Sequence, residues 1–154
     1  MKKLLQKRKN NKGFSLVELI VVVAIMAVLI GVLVPTLVRN VEKSKKQKDV
    51  SAVEEVRNQM TIALADEKYS SLSGTITCSD GTVELVASSA NGLTGDNAAD
   101  YIKEVCQNLN AKDTFKKQLT SKAYGKATVT FTIGDEKVSA VIKVSDTETV
   151  TVGE

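Results

Sequence analysis

One stretch constrains this chain more than anything else in it. Phe14 to Val38 reads FSLVELIVVVAIMAVLIGVLVPTLV, in which only Ser15, Glu18, Pro35 and Thr36 are not apolar if Gly31 is counted with the apolar residues. At about 1.5 Å per residue, a helix over 14–38 covers the hydrocarbon thickness of a bilayer. Such a helix is apolar all round and has no face to offer water. Residues 1–13, MKKLLQKRKNNKG, precede it with six positive charges (Lys2, Lys3, Lys7, Arg8, Lys9, Lys12) and no acid. The positive-inside rule then keeps 1–13 cytoplasmic and sends the rest outward, a single-pass protein of the inner membrane with its C-terminus outside. A secretory signal would end in a small-x-small cleavage site. None is evident, because Ala24 and Ala27 lie inside the run and 35–42 reads PTLVRNVE.

Glu18 is the anomaly in that run. An acid in an apolar span costs roughly 2–3 kcal/mol, less near an end where it can reach the interface. It reads either as an interfacial carboxylate or as a group that needs a cationic partner. Cutting the chain between Gly13 and Phe14 would supply one, an α-amine at Phe14 four residues before Glu18 and on the same helical face. The amine of one subunit could then pair with Glu18 of a neighbour, since an unpaired charge is expensive in apolar surroundings. Further along, Pro35 has no N–H to offer the Gly31 carbonyl and its ring crowds that group, so the helix is expected to kink or weaken between Gly31 and Pro35.

The string Lys12-Gly13-Phe14-Ser15-Leu16-Val17-Glu18, followed by the apolar run, resembles the leader-peptidase motif of the type IV pilin family. The resemblance covers roughly residues 8–38. It implies cleavage after Gly13 by a membrane-embedded prepilin peptidase, N-methylation of Phe14, and alignment of incoming subunits by Glu18. It also implies that Pro35 corresponds to the family's helix-kinking proline. The partners implied are identical subunits in a helical homopolymer, the peptidase, an assembly platform with its ATPase, and the membrane. Because the family includes pseudopilins of secretion and DNA-uptake machines, the motif fixes a mode of assembly and not a task.

Beyond the run, apolar residues at Val38, Val41, Val50, Val53, Val56, Met60, Ala63 and Leu64 continue a helical period to about Asp66. This second half carries one apolar stripe, suited to lie on a sheet. Residues 75–87 are expected to form a hairpin turning at Asp80-Gly81. A polar loop over 88–97 ends in helix-cap chemistry at Asp96 or Asn97, ahead of a short helix over 98–109. Residues 113–119 read as a further helical turn with Phe115 and Leu119 inward. Strands are expected at 127–133, 137–144 and 148–152, with a turn at Gly134-Asp135. The fold class is α+β and pilin-like, a long N-terminal helix whose second half packs against an antiparallel sheet. The expected divisions are a leader, 1–13, a transmembrane or filament-core half, 14–38, and an extracytoplasmic head, 39–154.

Composition then limits the chemistry. With no His and two Cys in 154 residues, Ser-His and Cys-His sites and four-thiolate zinc are excluded. There is no Gly-rich phosphate loop, no Cys-x-x-Cys and no Gly-x-Ser-x-Gly, so no enzyme, cofactor or metal site is expected. Cys78 and Cys106 could close a 28-residue separation outside the membrane, which would stabilise by about 3–4 kcal/mol, or could remain two buried thiols. Pilins often carry a disulfide in the C-terminal region, whereas both of these cysteines precede the last three strands. Tyr69, Tyr101 and Tyr124 read as adhesive surface aromatics or as half-buried core. Lys43, Lys45, Lys46 and Lys48 suggest contact with an anionic surface or nucleic acid, or a solvated or subunit-facing helix face. Glu42, Asp49, Glu54 and Glu55 lie close enough to neutralise part of that patch.

The leading functional expectation is the structural subunit of an extracellular type IV pilus. The alternatives are a pseudopilin of a type II secretion or DNA-uptake machine, and a single-pass protein that displays a small binding domain. Removing the six leader charges from 21 Lys and Arg leaves 15 against 18 Asp and Glu. The overall +3 is thus a signal of topology and processing, and no specific nucleic-acid site is identified.

Overall fold

The computed structural model describes residues 14–145 and 147–153. The expected leader and its Gly13 lie outside the described residues. The chain divides into two compact units at Arg39/Asn40. One long helix, α1 (Leu16–Leu64), contributes to both. In the first unit it is exposed along its whole length, and the helix runs uninterrupted past Gly31 and Pro35 although Pro35 has no N–H to bond the Gly31 carbonyl.

The second unit holds the core. After a 3₁₀ turn (Glu67–Tyr69) come β1 (Ser73–Cys78), β2 (Thr82–Val86), β3 (Leu93–Thr94) and α2 (Ala98–Asn108). These are followed by β4 (Thr114–Gln118), β5 (Thr128–Gly134), β6 (Lys137–Lys143) and β7 (Thr149–Val152). Five strands form one antiparallel sheet in the order β3-β1-β5-β6-β7, while β2 and β4 form a separate two-stranded ribbon. Alternation decides which face is buried. Val129, Phe131 and Ile133 of β5 point inward, as do Val138, Ala140 and Ile142 of β6. Phe131 sits opposite Ala140 on one side and Ile76 on the other, so the largest ring in the sheet lies beside the smallest side chain. Against this face packs the apolar stripe of α1, namely Val53, Val56, Met60, Ala63 and Leu64.

Helix α2 is joined to α1 by a specific bond, in which the buried Tyr101 hydroxyl donates to the Met60 carbonyl at 2.7 Å. Tyr69 meets the Tyr101 ring edge-on at 5.2 Å and donates its own hydroxyl to Glu104 at 3.0 Å. All three tyrosines are buried, which removes the adhesive reading.

Three local expectations need correction. The turn at Asp80-Gly81 exists, with both residues at positive φ, but β1 and β2 do not pair as a hairpin. The Gly81 N–H donates to Ala127 and its carbonyl accepts from Leu119, so the turn is anchored to other segments and carries the chain from sheet to ribbon. A Cβ on Gly81 would lie 2.5 Å from the Gly125 carbonyl, so only glycine fits there. Second, 113–119 is strand and not a helical turn. Phe115 and Leu119 stand four apart, a helical spacing, but five register pairs between β2 and β4 outweigh it. Third, the β5–β6 turn is formed by Asp135 and Glu136, one residue later than expected, because Gly134 is already paired with Lys137. Helix α2 begins after Asn97 as expected, although Asn97 is left-handed and its side chain makes no cap bond.

Candidate assembly site

The N-terminal turn of α1 is closed by its own side chains. The Ser15 N–H donates to Glu18 Oε2 at 2.9 Å, and the Val17 N–H donates to Ser15 Oγ at 3.3 Å. Ser15 is the cap and Glu18 the third helical residue, so Glu18 makes the return half of a capping box, while Ser15 Oγ caps the second helical N–H, that of Val17. The carboxylate also sits where the helix dipole favours negative charge. The signature was legible, since Ser-x-x-Glu ahead of an apolar run marks a helix start. The structure therefore gives Glu18 a local partner, and one carboxylate oxygen, Oε1, takes no part in the box. Phe14 lies one residue before the cap and is 84% exposed.

From Leu16 to Val41 the apolar side chains are uncovered, among them Val17, Leu19, Ile20, Val28, Val32 and Leu33. A continuous apolar surface of this extent marks a place where something else must cover the chain. Nothing lies within 4 Å of where a Cβ on Gly31 would be. Downstream, Thr36 Oγ1 donates to the Val32 carbonyl and Arg39 Nε to the Pro35 carbonyl, each at 3.5 Å.

The second unit contributes a latch that sequence reasoning missed. Asp49 is buried on α1, and its two oxygens accept from the N–H of Thr120, the hydroxyl of Thr120 and the N–H of Ser121, at 2.8, 3.2 and 2.8 Å. Burial opposes ionisation of this carboxyl, but the bonds from Ser121 and Thr120 outweigh it and hold the group below its ordinary range. Two turns earlier, Glu42 accepts from the Lys122 N–H at 2.6 Å. These two acids therefore hold the 120–122 segment instead of neutralising the lysines around them. Partners some seventy to eighty residues away leave no mark in local sequence.

The two cysteines are separate, buried thiols and not a disulfide. Cys78 Sγ donates to the Glu84 carbonyl at 3.5 Å and Cys106 Sγ to the Leu85 carbonyl at 3.6 Å, so each is satisfied by the ribbon strand β2. Burial pushes both thiols above their ordinary range, which keeps them protonated and unreactive. Among the described residues no group of His, Cys, Asp and Glu is arranged to hold a metal.

Comparison with known proteins places the resemblance at the same residues. A family model described as the prokaryotic N-terminal methylation motif matches residues 8–34. The type II secretion system core protein G of Dickeya chrysanthemi is 38% identical over 58 residues, 38% of each chain. That of Escherichia coli K12 is 38% identical over 60 residues, 39% of this chain and 41% of the relative. The prepilin peptidase-dependent protein A of Clostridium perfringens is 27% identical over 106 residues, 68% of this chain and 72% of the relative. The match thus spans about two-fifths of the length of the secretion-system relatives. No solved structure matches. At residues 8–34 the chain therefore carries a prepilin-type N-terminal methylation motif, and over about two-fifths of its length it is similar to the type II secretion system core protein G.

Proposed function

We propose that this chain is a polymerising subunit of the pilin and pseudopilin class, and that the machine it serves is of the secretion type. The observation that carries the reading is an uncovered apolar helix that begins at the Ser15–Glu18 box inside a prepilin-type motif. In this reading a prepilin peptidase cleaves after Gly13, the Phe14 amine is methylated, and residues 14–38 hold the subunit in the membrane. Head residues 39–154 face outward. Assembly then exchanges lipid contact for contact between identical helices. Glu18 Oε1, unused by the capping box, receives the methylated amine of a neighbour and sets the register. An assembly platform and its ATPase drive the extrusion. No residue acts catalytically, and no cofactor is required.

The secretion-type machine is favoured by the names of the relatives. Overall length does not separate the two readings, because the same 58 residues are 38% of both this chain and the Dickeya protein. The second reading, a long extracellular pilus, shares every step up to polymerisation. Peptide mass mapping tests the shared part: the mature chain is expected to begin at Phe14 with one methyl group on its amine. An intact 1–13 leader in most molecules overturns it. Deleting the gene separates the machines. Loss of exported proteins from the medium without loss of surface filaments marks a secretion subunit, and loss of long filaments marks a pilin.

A further inference from the structure

Just beyond the apolar run stand the exposed ammonium groups of Lys43, Lys45 and Lys48. Among the described residues no carboxylate lies within ion-pair distance of any of them. The acids interleaved with them are committed elsewhere, Glu42 to the Lys122 N–H and Asp49 to Thr120 and Ser121. Lys46 is the exception in the cluster, lying over the Tyr124 ring at 5.8 Å. The sequence suggests a patch half-neutralised by Glu42, Asp49, Glu54 and Glu55, whereas in the structure Glu42 and Asp49 bond the 120–122 segment, and Glu55, exposed in the same cleft as Lys48, makes no ion pair with it.

Their distribution carries information about the partner. At 3.6 residues per turn, Lys43, Lys48 and Lys45 spread over about 200° of the helix circumference. A flat protein face could meet only part of such a collar. A layer that surrounds the helix meets all of it. Lys43 and Lys45 follow Val38 by five and seven residues, which limits them to about 18 and 25 Å of chain even if fully extended. We propose that Lys43, Lys45 and Lys48 form a collar for the anionic headgroups of phospholipids in the leaflet where the apolar run ends. Phosphate headgroups supply counter-charge, and lysine's flexible stem lets each ammonium reach its own. The proposal rests on the membrane-span part of the reading above and not on polymerisation or on orientation, since either leaflet can present anionic lipid.

The test uses the full chain in lipid nanodiscs of phosphatidylcholine, with or without about a third phosphatidylglycerol. Acetylation of the lysine amines is followed by mass spectrometry. Lys43, Lys45 and Lys48 are expected to react roughly threefold more slowly in the anionic discs, and the difference should collapse in high salt. Lys103, exposed on α2, should react alike in both. Equal rates at the three lysines in the two lipids overturn the proposal. So does protection that tracks polymerisation and ignores lipid charge, which would assign the collar to a neighbouring subunit. The variant Lys43→Gln/Lys45→Gln/Lys48→Gln is expected to insert normally and to lose its enrichment of spin-labelled phosphatidylglycerol, and enrichment retained in it overturns the proposal. Failure of the wild-type chain to enter the discs, read separately by flotation, removes the membrane reading itself.

Discussion

Glu18 commits one carboxylate oxygen to its own helix and keeps the other free, so its charge and its capping function can be separated experimentally. Glutamine preserves the acceptor for the Ser15 N–H and discards the charge, whereas alanine discards both. Glu18→Gln is therefore expected to be cleaved and to keep its helix, yet to assemble at least tenfold less than wild type. Quantifying sheared or cross-linked polymer checks this, and near-normal assembly in that variant would transfer the role from charge to cap. Asp49 offers a second residue-scale test. Asp49→Ala strips the partner from two backbone donors, which should cost about 2–4 kcal/mol. The pH dependence has a defined sign. A carboxyl held below its ordinary value of 3.8 stabilises fully above that value and loses the contribution as pH falls through the lower folded value. The stability gap between wild type and Asp49→Asn should thus be largest near neutrality and shrink below about pH 4, as read by denaturant titration in detergent. At this scale the sequence was legible where partners are near. The Ser15–Glu18 bond joins residues three apart, while Asp49 and its donors are joined only by the tertiary fold.

Elements were legible where periodicity and burial agree. The apolar run and the stripe from Val53 to Leu64 mark α1 almost to its end, and strict alternation in β5 and β6 marks that hairpin to within a residue. The ribbon was not legible. β4 presents four exposed residues and one half-buried Phe115, so its burial pattern carries no strand signal, and its partner β2 lies some thirty residues upstream. Turn chemistry at Asp135-Glu136 also departs from sequence preference. Both residues are left-handed, at φ 51° and 60°, a geometry that favours Asn-Gly and penalises a long side chain. Glu136→Gly is accordingly expected to stabilise the second unit by about 1 kcal/mol, seen as a Tm higher by a few degrees. An unchanged or lower Tm would mean that the Glu136 side chain contributes something its backbone geometry does not reveal.

At the scale of the whole molecule, the uncovered apolar residues and the buried core do not overlap. Every buried apolar residue belongs to the cluster that begins at Val53, while the exposed apolar residues from Phe14 to Val41 contribute nothing to it. The hydrophobic effect that folds the second unit therefore owes nothing to the first. In the proposed function, residues 14–41 are covered by lipid or by other copies of the chain. A chain starting at Asn40 retains Glu42, Asp49 and the entire core stripe of α1. It should be soluble without detergent and unfold in one cooperative transition, with a Tm within a few degrees of that of the full chain in micelles. The full chain, by contrast, should aggregate when detergent is withdrawn. A truncated chain that aggregates, or that melts without cooperativity, would show that the apolar half takes part in folding the head. The separation of storage and assembly surface from folded core, on which the proposed function depends, would then fail.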